Sequence, residues 1–183
     1  MRTTILAVAV AVTLLPAVAG AESWSGTGPV EYVLVHKFHQ VVGKCGKAEG
    51  RALADGVDLK VMARAPVACF DSGNTNRDTN AMATVDAAHH PLVVVRGVAK
   101  GFRLPDPGQT AKVPVEASVE LKGVEKPQAI ELTVERKDAK TLEASFDFPV
   151  SLTAHGVERP SLLFVPVDDA VQIRGKLTLE VQP

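Results

Sequence analysis

Alternation of apolar and polar residues, repeated in one segment after another, is what most limits the shapes open to this chain. In residues 57–69 the odd positions are Val57, Leu59, Val61, Ala63, Ala65, Val67 and Cys69, while the even ones include Asp58, Lys60 and Arg64. Successive strand side chains point to opposite faces, so a period of two marks a half-buried strand. Val113, Val115, Ala117, Val119 and Leu121 alternate in the same way with Glu116, Ser118 and Glu120. Ile130, Leu132 and Val134 alternate with Glu131, Thr133 and Glu135, and Leu142, Ala144, Phe146, Phe148, Val150 and Leu152 with Glu143, Ser145 and Asp147. The last such run sets Val171, Ile173, Leu177 and Leu179 against Gln172, Arg174, Lys176 and Thr178. Residues 92–98, Val94 among them, are almost continuously apolar, and residues 32–42 with 51–54 add one or two strands at the start.

Turn-forming residues separate these runs: Asp55-Gly56, Pro105-Asp106-Pro107-Gly108, residues 122–127, and Asp168-Asp169. The order is a meander of about eight strands. Gly123-Val124-Glu125-Lys126-Pro127 is echoed by Gly156-Val157-Glu158-Arg159-Pro160, which reads as two similar connections. Only residues 76–90 break the period. Met82, Val85 and His89 recur there at helical spacing, Asn74 or Asn76 can cap, Asp78 falls in the first turn and Pro91 ends the run. One apolar and one polar face on every strand is satisfied most economically by an antiparallel sheet closed into a barrel, with the helix covering an opening. A two-sheet sandwich with Greek-key crossings is the alternative.

Residues 1–21 have the layout of a secretion signal: Arg2, an apolar stretch over residues 5–15, and the small residues Ala19-Gly20-Ala21 before Glu22. The mature chain, residues 22–183, is then a single domain placed in a periplasm or outside the cell. No later stretch is long and apolar enough for a spanning helix, so no stable membrane insertion is expected after cleavage. The two cysteines, Cys45 and Cys69, suggest one disulfide in an oxidising compartment. With Asp55-Gly56 as a two-residue turn, however, Cys69 faces Val42, and a bulge or kink near residues 46–50 is needed to bring it to Cys45. Two buried free thiols are the other reading.

Chemistry is sparse. A net charge of −1 offers no row of cations for phosphates, which argues against nucleic acid as a partner. His36 and His39, three apart on a strand, should face opposite ways and make no metal clamp. Ser72 lacks a nucleophile elbow, Asp168-Asp169 reads as a solvated turn, and no phosphate-binding loop or haem attachment is present. The sequence therefore gives no sign of an enzyme. What remains is the barrel interior. An eight-strand barrel is just wide enough either to be filled by side chains or to hold one elongated ligand. Aromatic residues are only 4% of the chain against 28 valines. The inward residues Leu59, Val61, Val67, Val94, Val115, Val119, Leu132, Phe146, Phe148, Leu152, Ile173 and Leu177 form either a solid valine-rich core or the wall of an apolar channel.

The segment Phe70-Asp71-Ser72-Gly73-Asn74-Thr75-Asn76-Arg77-Asp78, followed by a helix, Pro91 and an apolar strand, resembles the YceI-like family of secreted proteins. Residues 119–130 resemble that family's first Gly-Val-x-[Lys/Arg]-Pro hairpin, and residues 148–160 its second, so the likeness spans roughly residues 30–180. The resemblance implies a lipocalin-like antiparallel barrel whose lumen holds a hydrophobic small molecule or lipid, either a polyprenyl phosphate or a quinone tail. No other cofactor and no catalysis are implied, and neither the ligand's length nor an oligomeric state is fixed. Arg77 and Asp78 are expected to hold the turn, with Arg77 a candidate contact for a ligand head group.

Overall fold

In the computed structural model, residues 21–37, 39–162 and 165–183 are described. The signal expected over residues 1–21 lies outside them except for Ala21. The strands are β1 (Glu22–His36), β2 (His39–Ala54), β3 (Asp58–Pro66), β4 (Leu92–Lys100), β5 (Thr110–Leu121), β6 (Val124–Arg136), β7 (Thr141–Ser151), β8 (Ser161–Leu162), β9 (Val165–Pro166) and β10 (Ala170–Val181), with one helix, α1 (Thr75–Thr84). Eight strands close into an antiparallel barrel in the order β1-β10-β7-β6-β5-β4-β3-β2, and β8 and β9 pair with each other in the excursion between β7 and β10. A sandwich is thereby excluded. Closure is made by β1 on β10, from Trp24 opposite Val181 to Val33 opposite Gln172.

The alternating positions fall as their period requires. Val113, Val115, Val119, Ile130, Leu132, Val134, Leu142, Phe148, Val150, Val171, Leu177 and Leu179 are all buried. The opposite faces carry exposed cross-strand ion pairs such as Arg96–Glu120, Lys100–Glu116 and Lys112–Glu131. Each is worth little in water, but together they keep the outer face wet and the register unambiguous.

At the start of β1 the apolar alternation lapses after the buried Trp24, because the next two inward positions are Gly26 and Gly28. At Gly26 and Gly28 a Cβ would lie 2.0 Å from the Thr178 carbonyl oxygen and 2.1 Å from that of Lys176. The closing strand comes too near for any side chain. Bulk is accommodated elsewhere by the same device: Gly175 leaves the space taken by the Phe146 ring, whose Cζ would be 2.3 Å from an added Cβ.

Four local expectations are corrected. Helix α1 stops at Thr84 instead of running to His90: Asp86 takes the left-handed conformation (φ 54°), and the His89 ring packs its Nδ1 2.8 Å from the Asp86 carboxylate. The cap is Asn74, whose Oδ1 accepts from Arg77 N at 3.0 Å. The two Gly-Val-x-x-Pro echoes are not equivalent connections. Lys122 and Gly123, both at positive φ, make a tight β5–β6 hairpin, whereas Gly156 ends a 3₁₀ turn (Thr153–His155) in the excursion after β7. His36 and His39 are not on opposite faces. A turn separates them, and as cross-strand partners their rings lie 5.5 Å apart.

The fourth correction concerns the route to the disulfide. Cys45 and Cys69 are bonded, with Cα atoms 5.1 Å apart, so free thiols are excluded. Asp55 and Asp58 pair through a backbone bond of 3.2 Å, which makes Gly56-Val57 the turn and sets Ala54 opposite Leu59. That register brings Cys69 two residues nearer to Cys45 than an Asp55-Gly56 turn would. The β2–β3 ladder then ends at Glu49–Arg64, and a 3₁₀ turn (Val67–Cys69) leads into an isolated bridge between Lys44 and Asp71. A bulge is present too, but on the other edge of β2, between the pairs Gly28–Ala48 and Val30–Cys45.

Two stability predictions follow from this geometry. Reduction of the Cys45–Cys69 bond, which closes a separation of 24 residues, should cost roughly 3.5 kcal/mol in urea melts with and without reductant. A thiol count on unfolded, unreduced protein should find none. Gly175→Val should drive Phe146 from its place and destabilise by about 1–3 kcal/mol in thermal or urea melts.

Candidate functional site

Inward positions of the barrel strands converge on one apolar cavity of about 220 Å³. This lies just under the ~300–1,000 Å³ usual for small-molecule pockets. It reaches from Met82 and Val85, at and just beyond the end of α1, to Leu104 in the loop after β4. The wall interlocks small and large residues: Gly50 faces the Leu177 and Leu179 side chains, and Gly97 those of Val115 and Ala117. Small residues on one strand thus receive the branched ends of another, as the taper of a small barrel demands.

Eleven of the twelve residues expected inside do line the cavity. β3 supplies Leu59 and Val61, with Val67 in the turn that follows; β5 supplies Val115 and Val119, and β6 Leu132. β7 gives Phe146 and Phe148, Leu152 follows just beyond it, and β10 gives Ile173 and Leu177. Val94 is the exception. It pairs with Arg64 and Glu120 on the other face of β4, where it is buried away from the cavity, and its neighbours Val93 and Val95 line the wall instead. In a strand apolar at nearly every position, parity cannot be read from hydropathy.

Sequence reasoning missed the contributions of β1 and β2, Val30, Tyr32, Ala48 and Ala52 among them, and those of the lid: Phe70, Asp78, Ala81, Met82 and Val85. The 3.6-residue spacing of Met82 and Val85 was the available signal for the lid. Tyr32 is placed by its partner: an added Cβ at Gly43 would sit 2.2 Å from the Tyr32 ring, which therefore lies over bare backbone. The ring also meets that of Phe70 in a tilted contact, with centroids 5.6 Å apart.

The turn before α1 is held by a relay centred on Ser72. Ser72 Oγ donates to Asp78 Oδ1 at 2.5 Å and accepts from Arg77 Nε at 2.8 Å, while Arg77 Nη2 donates to the Ser72 carbonyl at 2.6 Å. Asp71 Oδ1 accepts from Gly73 N at 2.7 Å, and Gly73 has the positive φ this turn needs. Arg77 is thus a part of the turn and does not line the cavity, whereas Asp78 does. Burial, reinforced by the Asp78 carboxylate, raises the pKa of Tyr32 above its ordinary value, with Arg77 and Ser72 acting the other way.

A second fastening closes the same end of the barrel. The buried His155 ring spans two carbonyl oxygens, with Nδ1 2.7 Å from Ser151 and Nε2 3.1 Å from Val119, and so ties the excursion after β7 to β5. Among the described residues no three metal-ligating side chains come together, and no helix is long and apolar enough to cross a membrane.

Comparison with known proteins places this geometry. A polyisoprenoid-binding domain from Saccharophagus degradans implicated in plant cell wall breakdown superposes with a TM-score of 0.72 at 14% identity, covering 88% of this chain and 98% of that one. Burkholderia cenocepacia BcnA gives 0.65 at 18% identity over 86% and 95% of the two chains, and a Campylobacter jejuni YceI protein 0.53 at 10% over 98% and 94%. At these identities the likeness shows the fold. None of the curated proteins matches in sequence. YceI-like polyisoprenoid-binding domains are binding proteins, not enzymes. The YceI-like domain profile matches residues 27–179, nearly all of the described barrel, and the chain belongs to the YceI-like family.

Proposed function

We propose that this protein is an extracytoplasmic carrier that sequesters the tail of an isoprenoid-type lipid in its barrel. The observation that carries the reading is the cavity itself: a valine-rich barrel of this width could have been filled solid, and instead it encloses about 220 Å³ walled by carbon. Burial of an isoprene unit contributes roughly 4 kcal/mol at about 0.8 kcal/mol per methylene, before the cost of ordering the chain is subtracted. A few units therefore suffice for tight binding. The polyisoprenoid-binding domain of the structural relative supports the same ligand class. The disulfide and the signal-like segment at residues 1–21 support an oxidising compartment, periplasmic or extracellular.

Protein purified from a bacterial periplasm and extracted with organic solvent should yield a prenyl lipid by mass spectrometry. A clean extract, together with no uptake of a labelled prenyl chain, would overturn the carrier reading. Leu132→Trp, which projects an indole into the cavity, should lower prenyl uptake by at least about tenfold while the far-UV spectrum and melting remain those of a folded barrel. Unchanged uptake in that variant would place the binding site elsewhere.

A further inference from the structure

Resting on the carrier reading above, we propose that the cavity is gauged for a short prenyl chain of about two isoprene units, and that the Phe146 ring fixes that length. Units beyond the second find no apolar space and stay in water.

Volume carries the assignment. A dry apolar cavity of about 150 Å³ admits one benzene, or roughly 25 Å³ for each carbon. On that scale the space of about 220 Å³ takes about nine carbons, against ten in a chain of two units. A chain of four units needs roughly twice the space present. Neither end of the barrel makes up the difference. Trp24, only 2% exposed and off the cavity wall, fills one end. At the other, Phe70, Met82 and Val85 bound the cavity, and the segment that carries them is tied to β2 by the Cys45–Cys69 bond. Lateral widening is resisted as well, since the eight strands are hydrogen-bonded into a closed ring.

Phe146 is the side chain whose size and place set the limit. It lines the cavity, and its ring lies where Gly175 offers bare backbone: a Cβ there would be 2.3 Å from Phe146 Cζ. With six ring carbons it takes up about the room of one five-carbon unit. Gly175 has no side chain to move into that room, so truncation of Phe146 leaves a hollow continuous with the cavity. Conversely, a side chain added at residue 175 pushes the ring into the space a ligand would use.

The test is isothermal titration calorimetry of the disulfide-intact protein with four prenyl alcohols that differ only in length, each below its aggregation concentration: prenol, geraniol, farnesol and geranylgeraniol, of one to four units. Geraniol should bind at least about tenfold more tightly than prenol, because its second unit is buried. Farnesol and geranylgeraniol should lie within about threefold of geraniol, because their further units are not. Phe146→Ala should move the plateau out by one unit, with farnesol about tenfold tighter than geraniol. Gly175→Val should move it the other way and weaken geraniol by about tenfold with prenol unchanged. Should either variant fail to fold in thermal melts, the other variant and the wild-type series decide. Affinity that climbs by about tenfold or more with every unit through geranylgeraniol, or that does not rise from prenol to geraniol, would overturn the gauge while leaving the carrier reading standing. An unmoved plateau in folded Phe146→Ala would overturn the role given to that ring. Failure of all four alcohols to bind would remove the carrier reading and this inference with it.

Discussion

Every inward side chain of a small barrel competes for one shared volume, and the rest of this structure follows from how that volume is divided. Eight strands deliver their apolar faces to a common axis, and no face can be enlarged without taking space from another. The chain resolves the conflict by pairing glycine with bulk: Gly175 with Phe146, Gly50 with Leu177 and Leu179, Gly43 with Tyr32. The low aromatic content has the same origin. Two Phe rings, Phe146 and Phe148, already meet at 5.8 Å on one strand of the wall, and more rings would close the cavity.

Much of this was legible because hydropathy and strand parity coincide on β3, β5, β6, β7 and β10. Where they part, the reading failed for identifiable reasons. Val94 sits in a run apolar on both faces, so the period carried no sign of which side was in. After Trp24, β1 has Gly26 and Gly28 at its next inward positions, because the closing strand leaves no room there for a Cβ, and hydropathy cannot register a missing side chain. His36 and His39 were assigned opposite faces by counting along one strand, when the chain reverses between them. The disulfide was judged out of register because Asp55-Gly56 is the stronger turn signal, yet Gly56-Val57 makes the turn.

The lid shows how a short polar segment acquires a fixed place without a buried core of its own. None of the residues of α1 is buried. Its position comes instead from its flanks: the Ser72 relay and the Lys44–Asp71 bridge before it, and after it a backbone bond of 2.9 Å from Val67 N to the Pro91 carbonyl. Local openings draw on regions with few buried contacts. The lid end of the barrel is therefore the end most open to local opening, while Trp24, buried on β1 beside Ala52 and Val181, fills the other.

Closure of the barrel by its first and last strands has a consequence for how the chain must be made. A protein delivered from its N-terminus presents β1 long before β10 exists, and through that interval one edge of β1 has no partner. An unpaired edge is a template for aggregation. Apart from Trp24, residues 22–28 make the first half of the waiting edge polar and glycine-rich, a poor match for foreign strands. The composition that hid this strand from a hydropathy reading suits it to remain unpaired until the final strand arrives.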